Sequence, residues 1–276
     1  MNAMEQMFER KPRSELGLLR MIVVGLFVLA VPIALITTTI RVAVSEKAFY
    51  DYGVQDYGAQ QTSGIPISEL TRANGQVRDY LVSPDAGPLA VTVTDNAGVS
   101  GALFNARETV HMADVQSLVQ LMFKIQLLSV ALALTLAAAM VILWPTRVLA
   151  AAALWGGLLT TAVIGIVGAV ALSGFNAAWT QFHELAFTNS FWQLNPLTDH
   201  LIQMYPDQFW QDVSTALGGF IMVQAVGLAV LSATYLVLTR PNGNLIEARL
   251  RPAQPGRDGH PRHPRLMPPN PRNYVQ

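Results

Sequence analysis

Residues 179–210 read WTQFHELAFTNSFWQLNPLTDHLIQMYPDQFW and lie between two long apolar segments. The stretch contains no Lys or Arg but many Trp, Tyr and Phe residues. Such aromatic rings concentrate where a membrane meets water, because one end of the ring is apolar and the other can be wet. Two histidines, His183 and His200, lie among them. We interpret this stretch as the floor of a site at the edge of a membrane.

The composition of the whole chain also indicates a membrane protein. Of its 276 residues, 51% are hydrophobic and 13% are charged, whereas about 25% are charged in an ordinary soluble domain. Because the chain has no cysteine, it has no disulfide, no thiolate nucleophile and no cysteine-ligated zinc. The net charge of zero gives no indication of a nucleic-acid partner.

Four apolar runs are long enough to cross about 30 Å of hydrocarbon. The predicted fold class is an all-α membrane protein, with a small α/β extracytoplasmic loop between helices 1 and 2 and an interfacial helical loop between helices 3 and 4. The predicted transmembrane helices are residues 20–40, 117–144, 147–172 and 211–239. The remaining segments are a cytoplasmic N-terminus at 1–19 and the extracytoplasmic subdomain at 41–116. They are followed by the interfacial segment at 173–210 and a disordered basic cytoplasmic tail at 240–276.

Local patterns place smaller elements within the two outer segments. The three-to-four spacing of apolar residues predicts a helix over Ile67–Val82. Alternating residues before and after the turn at 95–98 predict a small hairpin. Leu197–Tyr205 predicts a short amphipathic helix with His200 on its surface. Both outer segments are more acidic than basic, so the placement of Lys and Arg predicts that both termini are cytoplasmic.

The two outer segments each carry a candidate histidine. Glu108, His111 and Asp114 are three residues apart, so they fall near one face of the helix that leads into the second membrane run. His183 lies a similar distance from its own membrane run, and the topology therefore places both histidines on one side. Two imidazoles near an apolar boundary suit proton transfer near neutral pH. The alternative is that each is an ordinary interfacial histidine bonded to a neighbouring carboxylate, such as Glu184.

Metal and nucleotide motifs are weak or missing in the sequence. Glu108-x-x-His111 has the spacing of a metal-ligand pair but occurs once, whereas four-helix carboxylate metal sites use it twice with further Glu residues. Phe187 stands where H-E-x-x-H would need its second histidine. No phosphate-cradling loop is present in the sequence. We therefore expect no metal, no other cofactor, no nucleotide and no nucleic-acid partner.

Three blocks resemble one bacterial membrane family. RETVHMADV at 107–115, FHELAFTNSFWQ at 182–193 and LTDHLIQMYPDQFW at 197–210 are similar to the signature blocks of the lipoprotein intramolecular transacylases (Lit). The resemblance covers roughly residues 20–240 and leaves the tail outside. It implies a plasma-membrane acyltransferase that moves the sn-2 acyl chain of a diacylglyceryl-modified lipoprotein cysteine to the α-amino group of that cysteine. Its implied partners are a diacylated lipoprotein and membrane lipids.

The resemblance also implies roles for individual residues. His111 and His183 would be the catalytic pair on the extracytoplasmic face. Supporting roles, either for an oxyanion or for orientation, would fall to Arg107, Glu108, Asp114 and Glu184. An apolar wall that holds acyl chains and excludes water would consist of Phe182, Phe187, Phe191 and Trp192. The α-amine could attack the ester directly with a histidine as base, or an acyl-imidazole could form first.

Two other functions fit the same sequence. One is a non-enzymatic membrane protein that binds a lipid or a lipoprotein through its outer loop. The other is a metal-dependent membrane hydrolase that uses Glu108, His111 and His183.

Overall fold

A computed structural model describes residues 11–240 of the chain. The elements in chain order are α1 Lys11–Ser45, α2 Lys47–Asp56, α3 Ala59–Ser63, α4 Ile67–Val82, β1 Thr92–Thr94, β2 Ser100–Ala102, α5 Ala106–Leu143, α6 Thr146–Ser173, α7 Phe175–Ala186, α8 His200–Met204 and α9 Asp207–Leu238. The predicted disordered tail, apart from its first residue, lies outside the described residues, as do residues 1–10 of the predicted N-terminus.

Four of these helices, α1, α5, α6 and α9, have the length and the apolar composition needed to cross a membrane. The predicted fold class is confirmed: the protein is a multi-pass, mostly helical membrane protein with one small sheet. The bundle packs around a core that includes Phe27 and Val31 of α1, Met140 of α5 and Ala152 of α6. Glycine allows α6 to approach its neighbours closely, because a Cβ on Gly157 would lie 2.7 Å from the carbonyl oxygen of Ala225 on α9.

Helix α5 is much longer than a single membrane crossing requires. Its 38 residues span about 57 Å at about 1.5 Å per residue. The helix begins at a capping box, in which Asn105 accepts from the backbone of Glu108 and Glu108 accepts from the backbone of Asn105. It ends at Leu143, and Trp144 caps it directly before Pro145, which favours a helix end. The first turns of α5, which include His111, therefore extend beyond the bundle.

Helices α2, α3 and α4 form a subdomain with the β1–β2 hairpin around a second apolar core, to which α5, α8 and the start of α9 also contribute. The helix predicted over Ile67–Val82 is confirmed with the same bounds, and the predicted hairpin pairs Thr92 with Ala102 in antiparallel register. Two glutamines of α5 attach the subdomain to the bundle. Gln116 donates to the carbonyl oxygen of Tyr80 at 3.1 Å, which satisfies an acceptor that a helix end otherwise leaves unpaired. Gln120 donates to Leu81 in the same way, at 2.8 Å.

The short helix of the interfacial segment begins later than predicted. The sequence predicts a helix from Leu197, but α8 starts at His200. The side-chain oxygen of Asn195 accepts from the backbone N–H of Leu197 at 3.0 Å. This local turn competes with helical hydrogen bonding and delays the helix. His200 is half-buried, and its Nδ1 lies 2.8 Å from Oε1 of Gln203.

A Gly157→Ala substitution tests the close packing of α6 against α9. We expect it to lower the free energy of unfolding by about 1–3 kcal/mol, because the added methyl group meets backbone atoms of α9. Gly165→Ala on the same helix is the matched control, since its Cβ would enter open space. Thermal unfolding in detergent measures both variants. Equal unfolding temperatures for the two variants would contradict the packing described here.

Candidate active site

The two predicted histidines meet at the end of the bundle that carries the subdomain. His111 lies near the start of α5, and His183 lies in the last turn of α7. Their ring centroids are 6.0 Å apart, and the ring planes are tilted by 37°. Both side chains are buried, with 6% of His111 and 8% of His183 exposed. Buried polar side chains are normally hydrogen-bonded, so the partners of the two rings decide what the pair can do.

The hydrogen bond of His183 determines its tautomer. Nδ1 of His183 lies 2.8 Å from the carbonyl oxygen of Trp179. Because a carbonyl oxygen can only accept, Nδ1 carries the proton, and the neutral ring has its lone pair on Nε2. Burial lowers the pKa of His183 below its usual value, and this effect exceeds the opposing effects of the Trp179 carbonyl and the Asp207 carboxylate. At neutral pH, Nε2 of His183 is therefore a free base.

His111 presents a polar atom that is not satisfied by the protein. Its Nδ1 is buried and has no hydrogen-bond partner among residues 11–240. Leaving a buried polar atom unpaired costs about 1–3 kcal/mol. A polar atom in this position is suited to a partner that arrives with the substrate.

Aromatic side chains surround the histidine pair. The ring of Phe187 lies 5.2 Å from that of His111 and 5.7 Å from that of His183. The rings of Phe182 and Trp192 lie 5.2 Å and 5.0 Å from that of His183. The structure thus brings three residues of the predicted acyl-chain wall to the histidines.

Phe191, the fourth residue of the predicted wall, is placed differently. Within the described part of the chain its ring contacts neither histidine, whereas the rings of the other three wall residues do. Its place beside His183 is taken by Trp179, whose ring lies 4.7 Å from the histidine ring. Trp179 also stacks on Trp210 at 5.1 Å. The sequence does hold a signal for Trp179, because it lies one helical turn before His183.

Glu108 has a structural contact instead of a contact with a histidine. Its side chain is 1% exposed, and its two oxygens accept from the backbone N–H groups of Asn105 at 2.8 Å and Leu201 at 2.6 Å. The second bond joins α5 to α8. Asn105 reinforces the connection by donating to Asp199 at 2.9 Å. Glu108 therefore holds two segments together beside the histidine pair.

Two other predicted supporting residues, Arg107 and Asp114, form hydrogen bonds with the loop. Arg107 donates to the carbonyl oxygen of Gln193 at 2.9 Å, and Asp114 accepts from Asn189 at 2.8 Å. Both contacts attach the interfacial loop (residues 187–199, between α7 and α8) to α5. Glu184 is exposed on α7. Asn189 was not among the predicted site residues, because nothing in the local sequence distinguishes it from an ordinary loop asparagine.

The arrangement does not favour the predicted alternative of a metal-dependent hydrolase. Across residues 11–240, no group of three or more His, Cys, Asp or Glu side chains is placed to hold a metal ion. Glu108 directs both oxygens to backbone amides instead of joining His111 and His183.

Comparison with protein families identifies the chain. The family model of the lipoprotein intramolecular transacylase Lit matches residues 25–210. The chain belongs to the Lit family. The predicted resemblance is thereby confirmed, and this Lit-family protein is a membrane acyltransferase that acts on lipoproteins. Comparison with curated protein sequences gave no match.

Solved structures of Lit from Bacillus cereus share the fold. One in meso structure is 17% identical, with a TM-score of 0.67, and the match covers 80% of this chain and 97% of that chain. A variant of the same enzyme with histidine replaced by arginine is 18% identical, with a TM-score of 0.65 and coverages of 83% and 97%. A histidine-to-alanine variant is 17% identical, with a TM-score of 0.65 and coverages of 83% and 98%.

Glu108→Gln tests the connection between α5 and α8. One carboxylate oxygen becomes an amide donor, so only one of the two backbone N–H groups keeps its acceptor. We expect faster hydrogen exchange at whichever of the Asn105 and Leu201 amides loses its acceptor, and a stability loss of about 1–3 kcal/mol. Glu184→Gln, on the exposed face of α7, should change neither quantity. Equal exchange rates in the two variants would contradict a structural role for Glu108.

Asp207→Asn tests the electrostatics of His183. The negative charge of Asp207 stabilises the imidazolium form, so its removal should lower the pKa of His183 further. An NMR titration of labelled histidine measures the change. In the unsubstituted protein, His183 should titrate below about 6.5, the value of an unperturbed histidine. If His183 titrated above that value, or if its pKa rose in the Asp207→Asn variant, the electrostatic account would be wrong.

Proposed function

We propose that this protein moves the sn-2 acyl chain of a diacylglyceryl-modified lipoprotein cysteine to the α-amino group of the same cysteine, with His183 and His111 as the catalytic pair. The observation that supports this most strongly is the buried histidine pair, in which one ring has its Nε2 lone pair free. Family membership supplies the reaction class, and the pair supplies groups that can move the proton which the reaction must transfer.

The step is an exchange of an ester for an amide. The amine nitrogen attacks the carbonyl carbon of the sn-2 ester, and a C–N bond forms. Nε2 of His183 takes the proton that the nitrogen loses. The C–O bond of the ester then breaks, and His183 returns the proton to the departing glyceryl oxygen. His111 donates an N–H to the oxyanion of the tetrahedral intermediate. One amide and one free hydroxyl result, and no nucleotide is consumed.

The tethering of ester and amine to one cysteine favours the direct route over an acyl-imidazole. Holding two reacting groups in line can lower an activation barrier by about 7–11 kcal/mol. A covalent acyl-imidazole intermediate would add little to that gain. The amine has a pKa of about 8, so a neutral histidine is an adequate base for it. The rings of Phe182, Phe187 and Trp192 would contact the acyl chains and exclude the water that would otherwise hydrolyse the ester.

The site is proposed to face the extracytoplasmic side of the plasma membrane. Four crossings place both termini on one side, and the turn between α5 and α6 carries Arg147, as cytoplasmic turns tend to. Residues 41–116 and 173–210 then lie together on the outer side. The contact between His111 and His183 supports this, since it requires both segments to be at one end of the bundle.

Alanine variants of three histidines test the proposed roles. We expect His111→Ala and His183→Ala each to lower the transfer rate by about 10²–10⁴-fold, the usual contribution of a general acid or base. His200→Ala should retain most of the activity, because its ring bonds to Gln203 within α8. The assay is mass spectrometry of a synthetic diacylated lipopeptide with a free α-amine. A dispensable His111 with an essential His200 would show that the wrong histidines have been paired.

Thiol labelling in intact cells tests the proposed sidedness. The chain has no cysteine of its own, so Val99→Cys and Leu197→Cys, which replace exposed side chains, should each react with an impermeant reagent. Asn270→Cys in the tail should react only after permeabilisation. The reverse pattern would contradict the topology.

A further inference from the structure

Asp207 begins α9 and carries a carboxylate close to the histidine pair. Asp207 and Trp210 are three residues apart, so their side chains lie near one face of α9. The ring of Trp210 stacks on that of Trp179 at 5.1 Å, and the ring of Trp179 lies 4.7 Å from that of His183. The negative charge of Asp207 also acts on His183. This face of α9 is therefore turned towards the pair.

The carboxylate of Asp207 is free to bind a ligand. Asp207 is exposed, and within residues 11–240 no hydrogen bond or ion pair involves its carboxylate. Three other carboxylates of the site already accept hydrogen bonds, namely Glu108, Asp114 and Asp199. Glu184 is also exposed, but it directly follows His183 and so points to a different side of α7.

Asp207 also lines an open cavity of about 330 Å³. Residues of the subdomain, of α8 and of the first turn of α9 form its walls, among them Tyr57, Thr62, Ile202 and Gln203. Asp207 is the one charged residue of the lining, and the lining contains no Lys, Arg or His. A cation that enters this cavity therefore meets a carboxylate and no repelling charge.

The proposed substrate brings a cation to the site. The α-amine of the lipidated cysteine has a pKa of about 8, so it is mostly protonated at neutral pH. The acyl chains of that cysteine are expected at the rings of Phe182, Phe187 and Trp192, which belong to α7 and the interfacial loop. A carboxylate on α9 gives the amine a contact of its own, and the cavity leaves space for the peptide that follows the cysteine.

We infer that the carboxylate of Asp207 binds the protonated α-amine of the lipidated cysteine and positions it beside the histidine pair. This inference rests on the proposed function, which supplies the amine. An ammonium group and a carboxylate form a charge-assisted hydrogen bond. Because Asp207 also stabilises the imidazolium form of His183, the positive charge stays near the carboxylate when the amine passes a proton to that ring.

The binding of two ether-linked lipopeptides to the purified full-length chain tests this role. Ethers replace both esters, so that no acyl transfer takes place, and one of the two peptides carries hydrogen in place of the α-amine. The unsubstituted protein should bind the amine-bearing peptide more tightly. In Asp207→Asn this preference should fall by about three- to tenfold, the range for a charged hydrogen bond at an exposed site. The affinity for the des-amino peptide should stay the same.

Three further variants control for the substitution. Asp207→Glu restores the charge and should recover most of the preference. Asp212→Asn removes a carboxylate of the same helix that already accepts from Tyr57 and Gln208, and it should keep the full preference. If Asp207→Asn does not fold, Asp207→Ser removes the same charge with a residue that also suits the start of a helix.

Four results would count against the inference. An unchanged preference in Asp207→Asn, or equal binding of both peptides by the unsubstituted protein, would overturn it and leave the proposed function standing. An equal loss of preference in Asp212→Asn would overturn it as well, because any negative charge on α9 would then have the same effect. If the unsubstituted protein bound neither peptide, the proposed substrate would be wrong, and the role of Asp207 would fail with it.

Discussion

The buried carboxylate of Glu108 is the contact on which the site depends. It accepts backbone N–H groups from Asn105 at the start of α5 and from Leu201 at the start of α8, two positions far apart in the chain. A carboxylate with both oxygens bonded to amides tolerates burial that would otherwise be costly. His111 follows Glu108 by less than one turn of α5. The contact of Glu108 therefore fixes the rotation of this end of the helix, and so directs His111 towards the interfacial loop and His183.

The environment of the pair sets what its two rings can do. Burial keeps His183 neutral at physiological pH, and the Trp179 carbonyl decides which nitrogen is the base. Trp179 stacks on Trp210 of α9, so the position of Trp179 depends on that helix. Trp210 follows Phe209, which is completely buried in the core of the subdomain. The geometry of the histidine pair thus rests on the packing of the subdomain as well as on the bundle. Family membership, the fold and this local chemistry all agree with acyl transfer at a membrane surface.

Patterns within single segments were enough to predict much of this. Apolar length gives the four membrane helices, three-to-four spacing gives α4 with its observed bounds, and the shared side of the two outer segments brings His111 near His183. The misses concern contacts between distant segments. The sequence predicts a supporting role for Glu108, for an oxyanion or for orientation, but it does not show that one partner is the backbone of Leu201, 93 residues away. Phe191 is the sequence neighbour of Trp192, and only the path of the loop shows that the ring of Trp192 lies beside His183 while that of Phe191 does not.

The central claim is that His111 and His183 act as one unit, and a double variant tests it most directly. The measurement is kcat/KM on a diacylated lipopeptide for His111→Ala, for His183→Ala and for the protein with both substitutions. Residues that act as a unit show strongly non-additive losses. The account predicts that the double variant is about as active as the weaker single variant. A double variant whose loss equals the product of the two single losses would contradict the account, because the histidines would then contribute independently.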